Sequence, residues 1–143
     1  MPYTPKGDGH RAVFFIGAVR SGLMENFIRK IRFSTAIILS KLAMYGLRLI
    51  GRGGTSLPGK IALKIYPEML SALSGKFRII MITGTNGKTT TSRIAAGMLD
   101  RTGMKYISNK SGANLASGLT TTLISAISLT GKPMVRTALL ETD

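Results

Sequence analysis

Gly84-Thr85-Asn86-Gly87-Lys88-Thr89-Thr90 is the stretch of this chain whose residue types and spacing could do chemistry. Its two glycines adopt backbone angles that side chains resist, and they let the main chain approach a ligand closely. A turn of this kind that feeds a helix aims backbone N–H groups and the positive end of the helix dipole at one point, which suits a phosphate. In such a cradle Lys88 reaches the terminal phosphates of a nucleotide, and the Thr89 hydroxyl is placed to ligate Mg²⁺. The generic pattern G-x-x-x-x-G-K-[ST] would put its first glycine at the position of Ile82, so the match is incomplete there. The bland alternative is a tight glycine turn with an incidental Lys-Thr. The flanking strand and helix weigh for the phosphate site.

Those flanking elements must position the turn. Phe77–Ile82 reads as a short apolar strand leading into it. Ile94, Ala95, Met98 and Leu99 then recur at helical spacing, and Gly103 behind Arg101 reads as the helix stop. Lys105–Ser108 reads as a second strand, and 109–118 as a polar loop. Leu119–Leu129 reads as a helix ended by Gly131 and Pro133, and Met134–Leu140 as a third strand. Strand–helix–strand–helix–strand order predicts a parallel sheet with right-handed crossovers, in which ligands sit at the carboxyl ends of the strands. Glu141 and Asp143 are therefore expected to emerge on the same edge as the glycine turn. An acid there can share the Mg²⁺ that Thr89 binds; a solvated strand end is the plainer reading.

Upstream, Ser34 to Ile50 predicts a helix with Ser34 as its cap and Gly51 as its stop. Ser34, Lys41 and Arg48 form a narrow polar stripe, and Ile38, Leu42, Tyr45 and Leu49 lie opposite. Lys41 and Arg48 argue against a transmembrane span. A helix packed on a domain surface is the favoured reading, with peripheral membrane contact behind it. The glycine-rich segment Gly51–Lys60 is either a connector or a second phosphate-contacting loop. Ile61–Leu73 predicts a short helix, a break, and a further helical turn opened by Pro67.

Composition bounds the rest. A chain of 143 residues builds one modest core, and the absence of cysteine excludes disulfides and thiolate metal sites. With His10 the single histidine, a histidine-rich metal centre is also excluded. The formal charge of +14 would suit nucleic acid or an anionic surface, but the twenty Lys and Arg divide evenly between 1–60 and 61–143. Aromatics are sparse and no RNA-recognition signature is present, so a phosphate ligand is favoured and no nucleic-acid partner is expected. Residues 1–23 differ in character from the rest of the chain. Ala12–Val19 is a short apolar run behind Lys6 and Arg11, which reads either as a weak signal peptide or as sequence upstream of a start at Met24; the second is favoured.

The glycine turn resembles the P-loop of the Mur ligases and their folylpolyglutamate synthase relatives, whose version also lacks the first glycine. Arg52–Ala62, Asn109-Lys110-Ser111-Gly112-Ala113-Asn114 and Leu140-Glu141-Thr142-Asp143 narrow the resemblance to the ligase subunit of glutamine-hydrolysing lipid II isoglutaminyl synthases. It covers roughly residues 34–143. It implies an α/β fold of the P-loop, three-layer, parallel-sheet type, the Mur ligase central domain, here carrying about three strands behind N-terminal helices. The implied organisation is an N-terminal extension over 1–33, a helical and glycine-rich segment over 34–75, and the start of the ATP-binding domain over 76–143.

The implied reaction is ATP-dependent activation of the α-carboxylate of D-glutamate in lipid II as an acyl phosphate. Ammonia from a GatD-type glutamine amidotransferase then gives D-isoglutamine. By the resemblance, Gly84, Thr85, Asn86, Gly87, Lys88, Thr89 and Thr90 would bind ATP, and Lys88 and Glu141 would be the catalytic pair. Thr89 and Glu141 would hold Mg²⁺. Asn114 would lie near the γ-phosphate and acceptor, or else cap the following helix. The family pattern continues beyond Asp143 with a zinc-binding insertion and the amidotransferase docking surface. Zinc is expected only there, and the chain by itself is expected to be inactive. A cytoplasmic protein is expected, with contact at the inner membrane face as the lesser reading. Two alternatives stay open: another ligase of the superfamily, and a non-catalytic basic module that binds nucleotide or nucleic acid.

Overall fold

The computed structural model describes residues 8–51, 56–109, 113 and 115–142, with side chains from 22 onward. The chain forms two compact units, Met1–Arg32 and Phe33–Asp143. Helix α1 spans Asp8–Leu49. Ser34 is therefore interior to a helix and does not cap one, against the sequence expectation. The physical reason is that no proline interrupts 8–49, and each of its glycines weakens a helix by only about 1 kcal/mol. The expected stop is present: Gly51 has φ of 72°, and its N–H donates to the Arg48 carbonyl at 3.1 Å. In the first unit, Leu23, Met24, Phe27, Ile28 and Ile31 are exposed, and the Arg29 guanidinium donates to Asn26 Oδ1 at 3.2 Å.

In the second unit α1 turns Ala36, Ile37 and Ser40 inward, and Phe33 meets the Tyr66 ring edge-on with centroids 5.7 Å apart. Partial burial, and then the charge of Arg48, hold the Lys41 ammonium below its ordinary pKa. Helix α2 spans Leu57–Ile65 with Pro58 in its first turn, where a missing N–H costs nothing. Helix α3 spans Met69–Ser74, so Pro67 marks the break between them as expected. Gly59 is required at its position. A Cβ there would lie 1.8 Å from the Ser117 carbonyl oxygen, and its N–H donates to Thr121 Oγ1 at 2.8 Å. The Ser40 hydroxyl donates to the Pro58 carbonyl at 2.9 Å, so Pro58 and Gly59 serve packing. Residues 52–55, the rest of the supposed phosphate-contacting loop, lie outside the described residues.

The sheet contains β1 (Arg78–Ile82), β2 (Tyr106–Ser108) and β3 (Thr137–Glu141), in the order β1-β3-β2 and parallel throughout. Helix α4 spans Lys88–Arg101 and α5 spans Ala116–Ser125. The third strand begins later than expected, because Pro133 first bridges back to Ile127 and the Met134 N–H donates to the Ala126 carbonyl. The same pairing ends α5 before the expected Leu129. Strand β3 is central and its first four residues are buried, which suits a run of apolar residues covered on both faces. Ala138 and Leu140 join Leu119, Leu123 and Ile124 of α5 in one core cluster, closed by Ala62, Met69 and Leu73. Among the described residues no helix is long and apolar enough to cross a membrane.

Candidate functional site

At the carboxyl end of β1 the chain turns through 83–87 into α4. Gly84 has φ of 144° and Gly87, at the N-cap, has φ of 76°, both left-handed conformations that disfavour a side chain. Glycine also offers no capping side chain, and none bonds the first turn of α4. The first intrahelical bond runs from Thr91 N–H to the Gly87 carbonyl at 2.9 Å, so the amides before it precede the helix's own ladder. With the dipole behind them, they form the kind of end that receives an anion. The Lys88 ammonium lies back along the turn and donates to the Gly84 carbonyl at 2.6 Å.

The register of the sheet brings an acid to this end. Ile82 pairs with Glu141, and the Thr142 N–H donates to the Ile82 carbonyl at 3.0 Å. Glu141 therefore ends β3 on the edge where β1 enters the turn. Its carboxylate accepts from the Thr89 hydroxyl at 3.3 Å through Oε1 and from the Ser92 hydroxyl at 3.3 Å through Oε2. An open cleft of about 230 Å³ lies between α4 and the sheet, lined by Thr89, Ser92, Arg93, Ser108, Asn109 and Glu141 among others. The structure thus brings Thr89 and Glu141 together, while Lys88, next to Thr89 in sequence, turns its side chain to the Gly84 carbonyl. Thr85, Asn86 and Thr90 sit on the exposed turn and first helical turn beside them. Asn114 and Asp143 lie outside the described residues.

Ser92 and Asn109 meet Glu141 although sequence alone assigns neither a role. For Ser92 a signal existed: it follows Thr89 by three positions, so the two share a helix face. Asn109 follows the end of β2, and nothing local in the sequence says what its amide will reach.

The oxygen set tests a metal. Among the described residues no group of three or more His, Cys, Asp or Glu comes together. Mg²⁺ does not need one, because it takes one or two carboxylates and completes its shell with water and phosphate. A hydroxyl and a carboxylate side by side at a helix N-terminus fit that ion, and among the described residues no site for a softer metal accompanies them.

Fold and site define the class: a parallel α/β protein whose strand, glycine turn and helix N-terminus face an acid at the end of the neighbouring strand. Over most of its length the chain is similar in sequence to MurT subunits. It is 41% identical over 110 residues to the lipid II isoglutaminyl synthase (glutamine-hydrolyzing) subunit MurT of Staphylococcus aureus strain COL, covering 76% of this chain and 24% of that protein. It is 36% identical over 114 residues to the subunit of the same name from Streptococcus pneumoniae R6, covering 79% and 25%. The chain thus spans about a quarter of the length of these curated relatives. No protein-family model and no solved structure matches it.

Proposed function

We propose that this chain forms part of an ATP-dependent carbon–nitrogen ligase that amidates the α-carboxylate of D-glutamate in lipid II to D-isoglutamine. The observation that carries the reading is the meeting of Thr89 with Glu141 beside Lys88, in a chain similar in sequence to MurT subunits. In this reading the sheet is the beginning of a Mur ligase central domain, and residues 1–33 are an N-terminal extension to it.

Forming an acyl phosphate is in-line phosphoryl transfer, in which catalysis is mostly positioning and charge neutralisation. Gly84 to Thr90 would cradle the phosphates of ATP through backbone amides. Lys88 would turn its ammonium from the Gly84 carbonyl towards the β- and γ-phosphates. Thr89 and Glu141 would hold Mg²⁺, which when bound supplies positive charge against the transferring phosphoryl group. Asn114 is proposed to lie near the γ-phosphate and acceptor. The ammonia would come from a GatD-type glutamine amidotransferase subunit, which the rest of the longer protein would dock; zinc would belong to that part as well.

The setting we propose is cytoplasmic, at the inner membrane face. Ile38, Leu42, Tyr45 and Leu49 are exposed on α1, and Lys41 and Arg48 stand on the same helix, which supports peripheral contact with an anionic lipid surface.

The test has two stages. Calorimetry on the 143-residue chain should show ATP binding that Mg²⁺ strengthens; Lys88→Ala should remove the binding and Thr89→Ala the response to Mg²⁺. In the complete ligase with its glutaminase partner, the same substitutions should abolish lipid II amidation. Amidation that survives Lys88→Ala would sink the assignment.

A further inference from the structure

Strand β2 is shorter than the strand it pairs with. Its last residue, Ser108, pairs with Leu139, whereas β3 runs two residues further to Glu141. Past Ser108 the ladder gives way to a side chain. The Glu141 N–H donates to Asn109 Oδ1 at 2.8 Å, and Asn109 Nδ2 donates to the Glu141 carbonyl at 2.7 Å. A carboxamide has the donor and acceptor of a peptide group, so Asn109 completes the sheet at the position where the acid leaves it. Its second N–H donates to the Ala113 carbonyl at 3.0 Å.

Glu141 is thereby held from three sides. Asn109, just past β2, grips its backbone, Ile82 accepts from the next amide on the β1 side, and Thr89 and Ser92 bond the two carboxylate oxygens. Asn109 makes two short bonds to the backbone of Glu141, whereas the hydroxyl contacts to its carboxylate are longer at 3.3 Å. A carboxylate that shares a cation with a hydroxyl on another element needs its backbone fixed, since an error of about an ångström at such a centre carries a large penalty.

We propose that Asn109 is a positioning residue, which sets where the Glu141 carboxylate meets Thr89 and so sets the affinity of the site for its divalent cation. The inference rests on the nucleotide–metal reading of this site. Asn109 touches neither nucleotide nor metal in it; it acts through the backbone of Glu141.

The experiment is Mn²⁺ binding followed by electron paramagnetic resonance, on the full chain with ATP present, for the parent, Asn109→Ala and Asn109→Asp. ATP affinity is measured in parallel with EDTA in place of metal. Removing an outer-shell partner of a metal site typically costs about 10–100-fold in metal affinity, and a loss near the lower end is expected here for Asn109→Ala. Asn109→Asp keeps the acceptor for the Glu141 N–H but loses both N–H donors and sets a carboxylate oxygen against the Glu141 and Ala113 carbonyls, so a loss is expected there too. Metal-free ATP affinity should be unchanged in both, because the glycine turn and Lys88 are untouched. A purely structural role would lower both affinities together. Parent-like Mn²⁺ affinity in Asn109→Asp and Asn109→Ala would overturn the inference while leaving the site reading in place. A parent chain that binds ATP without any response to Mn²⁺ would remove the site reading, and the inference with it.

Discussion

On one face of the sheet α5 buries Leu123 and Ile124 completely, and Ala62, Met69 and Leu73 close over them. On the other face α4 has no buried residue, and Ile94 and Met98 are 56% and 64% exposed. Strand β1, which carries the glycine turn, is an edge strand of the sheet, with Ile80 and Met81 exposed. The scaffold is thus held by apolar burial, and the candidate site by directional bonds to the one strand both regions share. Each such bond contributes about 0.5–1.5 kcal/mol net, and a buried leucine side chain contributes more. The site elements follow β3 because hydrogen bonds register them to it.

Substitutions can break that contrast or sharpen it. The largest effect is expected from Leu123→Ala, which opens a cavity in the covered face and should cost about 2–5 kcal/mol in urea unfolding. A loss no larger than that of a surface substitution would mean the two faces are equally packed. A smaller effect is expected from Gly87→Ala. Nothing lies within 4 Å of a Cβ there, so the cost is the left-handed backbone alone, about 1–2 kcal/mol. Nucleotide binding should fall with it, since the turn relaxes towards ordinary angles. The smallest is Met98→Ser on the outer side of α4, expected to move stability by no more than about 0.5 kcal/mol. A drop comparable to that of Leu123→Ala would show that the exposed face of α4 is covered in solution, by a second copy of the chain or another molecule, and gel filtration would distinguish the two.

Much of this was legible in the residues. Gly84 to Thr90 announced the turn because glycine, lysine and threonine act there through local geometry. The apolar spacing of Ile94 to Leu99 announced α4, although that spacing did not say how little of it would be covered. Gly51, Gly103 and Gly131 all take positive φ, and each stands where the sequence pattern places a stop or boundary. Where the pattern misleads, a local signal is overruled. Ser34 is a good cap by type, yet the turns before it are also helical and the hydroxyl has no helix start to serve. Leu129 continues an apolar period that α5 abandons at Ser125, because Pro133 folds back onto Ile127.

The sequence by itself determined the order of strands and helices, the glycine turn and the residues at its mouth, since these depend on neighbours along the chain. The tertiary structure decided that Glu141 stands against Thr89 and Ser92 and that Asn109 grips its backbone. Those pairs are separated by 52, 49 and 32 positions, and only the register of a parallel sheet brings them within hydrogen-bonding distance. It also decided that Gly59 must be glycine, because the carbonyl of Ser117 occupies the place where any side chain would begin.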